Sequence, residues 1–364
     1  MNSTPVLLLF ALTFAAAGAA APPAAGPLFN DSHFHLTNYV QKGTDIQDYL
    51  EIMGDRIGRS TLFGIPLQQT WSHANSGDYA PTYYLHSDAP LYYYSFTDAM
   101  IAHTYLSLSE PDRQRFDPMI TGFNPADMYA VDHIRRVLLM YPGVFSGIGE
   151  FTVHKEVVSS KVAGNVASLN NPALDRILEF CGETGLVAII HNDIDVPFAS
   201  DPSTLVYLRQ MVELLQRHPE ATVIWAHMGL GRVVEPVPGQ ASAEGTTRVP
   251  NQLEIAAWIL DNPKLGHVYF DISWDEVAKY AVRDEKAVAS TIELLEQHAD
   301  RMLFGTDNVA PQDRESHLKV FHIWDPVWSG LSPEASHRIR IGNYERLFDR
   351  ARQRVRAWED KQPR

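Results

Sequence analysis

The fold is decided by the stretch from residue 186 to residue 227. It contains Leu186-Val187-Ala188-Ile189-Ile190-His191, then an amphipathic segment, then Ala221-Thr222-Val223-Ile224-Trp225-Ala226-His227. The two apolar runs have the length of buried strands, and each ends in a histidine. The amphipathic segment Ser203–Arg217 between them is typical of a helix. This order predicts two parallel strands joined by a crossover helix.

The same alternation runs along most of the chain. Strand-like segments lie at Leu28–Leu36, Arg59–Pro66, Phe116–Gly122, Val144–Phe151, Leu186–His191, Ala221–His227, His267–Ser273 and Arg301–Thr306. Helix-like segments include Pro125–Met140, Pro172–Thr184, Ser203–Arg217, Gln252–Asn262 and Ala287–His298. Asn124 is placed to cap the first of these helices, with Pro125 at its first position. Eight such units over roughly 330 residues predict an α/β fold, a closed (β/α)8 TIM barrel rather than an open sheet.

Polar side chains that can ligate a metal close five of these strands. His33 and His35 lie two residues apart at the end of the first strand, so their side chains share one face. The fourth, fifth, sixth and eighth strands end in Glu150, His191, His227 and Asp307. Because the carboxyl ends of all barrel strands meet at one rim, we expect these residues to converge. A set of histidine, glutamate and aspartate side chains predicts a site for zinc, manganese or iron.

These motifs resemble the amidohydrolase superfamily of metal-dependent barrel enzymes, in particular its amidohydrolase-2 branch. The resemblance covers most of the chain after residue 27. It rests on the D-x-H-x-H of Asp31–His35, on His191 and His227, and on the G-T-D of Gly305–Asp307. The segment Ile341–Phe348 is also similar to the G-N-x-x-R-L-F ending of that branch. The order of these motifs implies the superfamily but no particular substrate.

The resemblance implies a catalytic divalent metal held by His33, His35, His191 and Asp307. Zinc is the expected ion, with manganese or iron as alternatives. Glu150 would either bridge two ions, with His227 as a further ligand, or stand beside a single ion. One ion is the expectation, and two ions joined through Glu150 are the alternative.

The expected catalytic residues are Asp307 and His227. A carboxylate beside a metal-activated water can take its proton and later deliver it to a leaving group, which is the role expected of Asp307. His227 would orient the reacting water if it does not bind a second ion. Asp31 is expected to support the site as a partner for the outer ring nitrogen of a ligating histidine.

Three further residues are candidates for substrate contact. His154 follows the end of the fourth strand, and Trp274 follows the seventh. Arg232 lies just past the sixth strand, where it could pair with a substrate carboxylate. The tyrosine-rich segment at about 72–110 follows the second strand and predicts an enlarged loop over the barrel mouth. That loop is either an insertion that packs on itself or a lid that contacts substrate.

The first residues differ in composition from the rest. The apolar run Val6–Phe14, followed by small residues up to Ala25, predicts a signal peptide over residues 1–21. The metal-dependent amidohydrolase-like barrel is expected over 27–355, exported to the periplasm or secreted. The lone cysteine, Cys181, suits an exported protein. No later segment is apolar enough to span a membrane, so we expect no stable membrane insertion after signal cleavage.

The charge balance limits the classes of partner that the protein is expected to bind. With 30 basic and 44 acidic residues the net charge is −14, and no basic run is present, which disfavours nucleic-acid binding. The partner expected is a small-molecule substrate, and the oligomeric state is left open.

The leading hypothesis is a hydrolase that attacks an amide, ester or lactone bond with a metal-activated water. The alternative from the same branch is a non-oxidative decarboxylase or hydratase of an aromatic or unsaturated acid. A binding barrel without catalysis is disfavoured because the ligand set is complete.

Overall fold

A computed structural model describes residues 26–38, 41–65, 77–78, 94–155, 168–194, 205–230 and 252–363. Its strands are β1 Phe29–Asp31, β2 Phe34–His35, β3 Ile57–Leu62, β4 Phe116–Ile120, β5 Gly147–His154, β6 Val187–Asn192, β7 Thr222–Trp225, β8 Val268–Asp271, β9 Met302–Leu303 and β10 Asn308–Val309. Eight of these strands form a parallel sheet in the order β1-β3-β4-β5-β6-β7-β8-β9, and β2 and β10 form a separate pair. Strand order follows chain order, as expected when each strand is joined to the next by a crossover.

The sheet closes between the first and last strands. β10 pairs in parallel with β2, and the Ser32 N–H donates to the Phe304 carbonyl at 3.1 Å. The predicted (β/α)8 TIM barrel is therefore confirmed. In detail, the predicted first strand is split into β1 and β2, because Ser32 and His33 bend out of strand geometry.

Helices follow most of the strands. They span Ile46–Met53, Thr97–Leu106, Glu110–Arg113, Ala130–Met140, Pro172–Thr184, Val206–Arg217, Gln252–Asp261, Asp275–Ala281, Glu285–Gln297, Arg314–Ile323, Asp325–Trp328, Pro333–His337 and Asn343–Glu359. The prediction for Pro172–Thr184 is confirmed, and Asn171 caps it by accepting from the Ala173 N–H at 3.0 Å. The predicted helix start at Pro125 is wrong. Asn124 instead accepts from the Ala126 N–H in a separate turn, and the helix begins at Ala130.

The last helix closes the amino-terminal end of the barrel. Its apolar side chains Tyr344, Leu347, Phe348 and Ala351 form one buried cluster with inward-facing strand residues such as Val187. Polar bonds at the same end reinforce this packing. The buried Asp117 accepts from Arg59 at 2.8 Å, from Arg352 at 2.6 Å and from the Tyr344 hydroxyl at 2.8 Å. The barrel is sealed here, which leaves the carboxyl end for chemistry.

Some predicted segments fall partly or wholly outside the described residues. The signal peptide of residues 1–21 and Arg232 lie outside them. Of the segment 72–110, residues 77–78 and 94–110 are described, and Thr97–Leu106 is a helix that packs against β4. Within the described part of the chain, no helix combines the length and apolarity needed to cross a membrane.

Candidate metal centre

Six side chains meet at the carboxyl end of the barrel, and none is more than 9% exposed. They are His33, His35, Glu150, His191, His227 and Asp307, the six residues that the strand ends predicted. They come from five barrel strands, or from residues just after them, that lie far apart in sequence. The barrel brings them into contact because parallel strands end at one rim.

Asp307 lies against the two histidines of the first strand. Its Oδ1 is 3.3 Å from His33 Nε2 and 3.1 Å from His35 Nε2. The Asp307 backbone N–H donates to the His33 carbonyl at 2.7 Å, and its φ is 53°. A positive φ costs energy in a residue other than glycine. The pairing of β2 with β10 holds Asp307 in this conformation beside the histidines.

Glu150 divides its two carboxylate oxygens between two pairs of histidines. Oε1 lies 2.7 Å from His191 Nδ1 and 3.4 Å from His227 Nε2. Oε2 lies 3.5 Å from His35 Nε2 and 3.8 Å from His33 Nε2. Glu150 sits inside β5, which runs on to His154, and not at the strand end that the sequence predicted. It therefore occupies the middle of the cluster.

Each of the four histidines has one ring nitrogen toward the centre and the other held from outside. His33 Nδ1 lies 3.0 Å from Asp271 Oδ2, and His35 Nδ1 lies 2.8 Å from the Gly64 carbonyl. His227 Nδ1 lies 2.7 Å from Ser273 Oγ, and His191 Nε2 lies 3.1 Å from Asp193 Oδ1. Histidines that bind metals nearly always have such an outer partner, which fixes the ring and its tautomer.

Two of the inward nitrogens fit a cation. His33 Nε2 and His227 Nε2 are buried, and neither makes a hydrogen bond of normal geometry to any described residue. A buried polar atom without a partner is costly, and a cation at the centre would supply one. In each of three groups of side chains, the possible ligand atoms lie within 4.8 Å of one another. The groups are His33, His35 and Glu150; His33, His227 and Asp271; and Glu150, His191 and His227. The residues present therefore fit a divalent metal.

The carboxylates of the cluster are held in the ionised form. Burial opposes ionisation of Glu150, but the Lys155 charge and the His191 hydrogen bond hold its pKa well below the usual value. Burial likewise opposes ionisation of Asp307, but the charges of His33 and His227 lower its pKa well below the usual value. Both carboxylates are therefore ionised at neutral pH and available to ligate a cation.

The surroundings shift the pKa values of His33 and His227 in opposite directions. Burial lowers the pKa of His33, but the charges of Asp271 and Asp307 outweigh burial and raise it well above the usual value. In His227 burial dominates, and its pKa is lowered. A proton on His33 Nε2 and a bound cation would be alternative occupants of the same lone pair. Metal binding at this site is therefore coupled to proton release.

The candidates for substrate contact lie at different places. The Trp274 ring is 5.1 Å from the His227 ring, and the Lys155 ammonium lies 5.2 Å above the Trp274 ring. Trp274 and Lys155 thus border the cluster. The His154 ring stacks on Tyr207 with centroids 3.7 Å apart, and burial lowers its pKa to about 4. Arg232 lies outside the described residues.

Asp31 supports the site, but not as the histidine ring partner that the sequence predicted. Asp31 contacts neither of the neighbouring histidine rings through its carboxylate. It accepts instead from the backbone N–H of His33 and from both the backbone and the hydroxyl of Thr306. The outer ring partners are Asp271 and the Gly64 carbonyl, because the bend after β1 turns the Asp31 carboxylate toward the chain that leads to Asp307.

The sequence alone did not indicate that Asp193, Asp271 and Ser273 would hold the outer ring nitrogens of these histidines. A signal for them exists. Asp193 follows His191 by two residues, and Ser273 follows Asp271 by two, so each pair shares one face of an extended chain. The histidine that binds Asp271 is determined by contacts between β8 and the first strand, which β9 separates in the barrel. The sequence does not reveal these contacts.

A buried cluster of histidines and carboxylates at the carboxyl end of a TIM barrel has the position and the donor set of a catalytic metal centre. The family model described as Amidohydrolase, Amidohydro_2, matches residues 31–350, so the chain belongs to this family. Members of the amidohydrolase superfamily are enzymes that act on small molecules, and both hydrolases and decarboxylases occur among them. The chain is accordingly an enzyme of this superfamily.

Solved structures are similar to the chain at low sequence identity. An uncharacterised TIM-barrel protein from Bordetella bronchiseptica is 15% identical with a TM-score of 0.50, covering 89% of this chain and 99% of that one. The 2,6-dihydroxybenzoate decarboxylase from Rhizobium is 14% identical with a TM-score of 0.48, over 89% and 98% of the two chains. Dihydroorotase from Campylobacter jejuni is 10% identical with a TM-score of 0.49, over 88% and 83%. No curated protein sequence matches the chain significantly.

Proposed function

We propose that this protein is a metal-dependent hydrolase that attacks an amide, ester or lactone bond of a small molecule. One observation carries the proposal. Each of four buried histidines directs one ring nitrogen to a common centre and has the other nitrogen held from outside, as metal-ligating histidines do. Ionised carboxylates complete that centre, and the family supplies the precedent for a divalent metal.

The proposed metal ligands are His33, His35, His191 and Asp307. When bound, the ion would polarise the scissile carbonyl and lower the pKa of a water toward about 7. A nitrogen-rich set that also contains carboxylates supports zinc, with manganese and iron as alternatives. The contacts of Glu150 bear on the number of ions. Its two oxygens face different histidine pairs, which supports the two-ion alternative more than the single ion expected from the sequence.

Asp307 is the proposed proton carrier. Its lowered pKa keeps it ionised, so it can accept a proton from the attacking water. The water oxygen forms a bond to the carbonyl carbon, the bond from that carbon to the leaving nitrogen or oxygen breaks, and the proton passes from Asp307 to the leaving atom. His227 Nε2 lies 3.9 Å from Asp307 Oδ2, where it can orient the water or ligate a second ion.

Substrate contact is proposed for Trp274, with His154 and Arg232 as further candidates. The Trp274 ring offers an apolar face next to His227, and Lys155 above it adds a positive charge. Together they favour a substrate with an apolar part and an anionic group. Export to the periplasm or medium is a separate proposal, which rests on the signal-peptide pattern of residues 1–21.

The test combines metal analysis with turnover. Purified protein is analysed for zinc, manganese and iron, then loaded with each ion and assayed on panels of amides, esters, lactones and aromatic carboxylic acids, with carbon dioxide measured in parallel. Metal-dependent hydrolysis of one panel is the expected result. Metal-dependent release of carbon dioxide without hydrolysis would replace the proposal with the decarboxylase alternative. Protein that folds but binds none of the three ions would overturn it.

A further inference from the structure

We propose that one carboxylate of β8, Asp271, sets the ring tautomer of both His33 and His227. It holds the ring proton on Nδ1 and so leaves Nε2 of each ring free to bind a cation at the metal centre. It acts on His33 directly and on His227 through Ser273. The inference rests on the proposed function, because the inward nitrogens matter only if they serve a metal and its water. Asp271 and Ser273 are positioning residues and have no contact with substrate in this scheme.

The hydrogen bonds to Asp271 have determined directions. The His227 backbone N–H can act only as a donor, and it lies 2.8 Å from Asp271 Oδ1. The Ser273 hydroxyl also donates to Oδ1. Oδ2 is left for His33 Nδ1 at 3.0 Å. An ionised carboxylate has no proton to donate, so His33 must carry its proton on Nδ1.

Ser273 transmits the same constraint to His227. A serine hydroxyl has a single proton, and Ser273 gives it to Asp271. Ser273 Oγ can therefore only accept from His227 Nδ1, which lies 2.7 Å away. His227 must be protonated on Nδ1, and its Nε2 presents a lone pair. The next acceptor, Asp271 Oδ1, is 3.9 Å from His227 Nδ1, so Ser273 is needed to make the link.

The inward nitrogens agree with these assignments. His33 Nε2 faces Asp307 Oδ1 at 3.3 Å, and His227 Nε2 faces Glu150 Oε1 at 3.4 Å. Neither nitrogen forms a regular hydrogen bond within the described part of the chain. A cation at the centre would satisfy both nitrogens together with the carboxylate oxygens that they face. Asp271 thus prepares nitrogens from two strands, the first and β7, that are distant in sequence.

The first test is Asp271→Asn. The asparagine oxygen can still accept from the His227 N–H, but its amide would donate to His33 Nδ1 and drive the His33 proton onto Nε2. Loss of an outer partner typically weakens metal binding by about 10–100-fold. We expect at least that loss in the zinc dissociation constant, measured by chelator competition at fixed pH. Unchanged zinc affinity in a folded Asp271→Asn protein would overturn the inference.

Asp98→Asn is the matched control. Asp98 is also a buried carboxylate that accepts from two backbone N–H groups, of Thr121 at 2.7 Å and Gly122 at 2.9 Å, and from a histidine, His133, at 2.8 Å. Among the described residues its hydrogen-bond partners are these three, and none of them belongs to the metal centre. Asp98→Asn should lower thermal stability and leave zinc affinity within twofold. An equal loss of affinity in both variants would show that Asp271 has only a general structural role.

A second pair of variants keeps the inference testable if Asp271→Asn does not fold. Ser273→Ala removes a single hydroxyl, and Ser273→Thr retains it. In metal-free protein with 15N-labelled histidine, the His227 ring should be the Nδ1–H tautomer in the wild type and in Ser273→Thr. In Ser273→Ala it should become a mixture of tautomers. A His227 spectrum that Ser273→Ala leaves unchanged would contradict the relay.

These outcomes separate the inference from the proposed function. If the wild type binds no zinc, manganese or iron, the proposed function fails, while the tautomer measurement on metal-free protein still tests the relay by itself. If the wild type binds metal and hydrolyses substrate, but the Asp271 and Ser273 variants match it in affinity and spectrum, the inference alone fails.

Discussion

Asp31 and Thr306 are joined by two hydrogen bonds, since Asp31 Oδ1 accepts from the Thr306 backbone N–H at 2.8 Å and Oδ2 accepts from its hydroxyl at 2.7 Å. Both residues are buried. Each directly precedes part of the metal centre, because His33 follows Asp31 by two residues and Asp307 follows Thr306. The pair fixes the distance between the first and last strands at the point where their ligands must meet.

Replacing His33 and His35 together with alanine should abolish metal binding while the barrel still folds. The barrel core is mostly apolar and does not depend on these two side chains. Metal content by mass spectrometry and secondary structure by circular dichroism would check both parts. A double variant with a full equivalent of metal would disprove the assignment of ligands.

Asp307→Asn should lower kcat by about 10²–10⁴-fold, because the amide has a similar size and a ligating oxygen but cannot take a proton. The measurement is steady-state kinetics on protein whose metal content has been determined. A metal-loaded variant with near-native turnover would assign the proton to another group, and His227 would be the next residue to replace.

Asp117→Asn should destabilise the fold by about 3–5 kcal/mol, because it leaves Arg59 and Arg352 at the sealed end of the barrel without their buried counter-charge. Urea unfolding would measure the loss. The control is Asp349→Ala, since Asp349 also binds Arg59 but is 63% exposed. That variant should change stability by no more than about 1 kcal/mol. Equal effects of the two variants would contradict the prediction.

His154 should make stability fall in mild acid. Burial lowers its pKa to about 4 in the folded protein, against the usual value of 6.5 for a histidine. Between these values the unfolded chain binds more protons, so this contribution is complete above pH 6.5 and is lost as the pH falls toward 4. At pH 5 the loss is about 2 kcal/mol.

The variant His154→Phe retains a ring against Tyr207 but does not titrate. Its unfolding free energy should therefore fall less than that of the wild type between pH 7.5 and pH 5. Parallel urea titrations at the two pH values would measure this difference. Identical pH dependence in both proteins would show that His154 is not held neutral.

The proposed export predicts that the mature protein lacks the first residues of the sequence. The apolar run and the small residues after it place the start of the mature protein near Ala20–Ala25. Intact mass measurement of protein from its native host would locate that start. A chain that keeps Met1 and remains in the cytoplasm would refute the proposal.

Strand ends were the most informative part of the sequence. The positions of His191, His227 and Asp307 after apolar runs predicted the cluster, because a barrel brings all strand ends to one rim. The positioning groups could not be found in the same way. Asp271 binds His33 from β8, a strand that is distant in sequence. His35 is held by the Gly64 carbonyl, and a main-chain group carries no sequence signal. The false cap at Asn124 has a local cause, since an asparagine can close a turn as readily as it starts a helix.

The joining of β2 to β10 has a consequence for how the protein is made. His35 and Asp307 are 272 residues apart in sequence, so their contact requires closing one of the longest loops that the chain allows. Contacts of such long range form late and slow down folding. During synthesis the histidines of the first strand emerge long before Asp307, and a chain that stops before Asp307 lacks a proposed metal ligand as well as β10. Under the proposed ligand set, full metal affinity therefore requires a chain that extends through Asp307, which would make metal binding a probe of whether the first and last strands have joined.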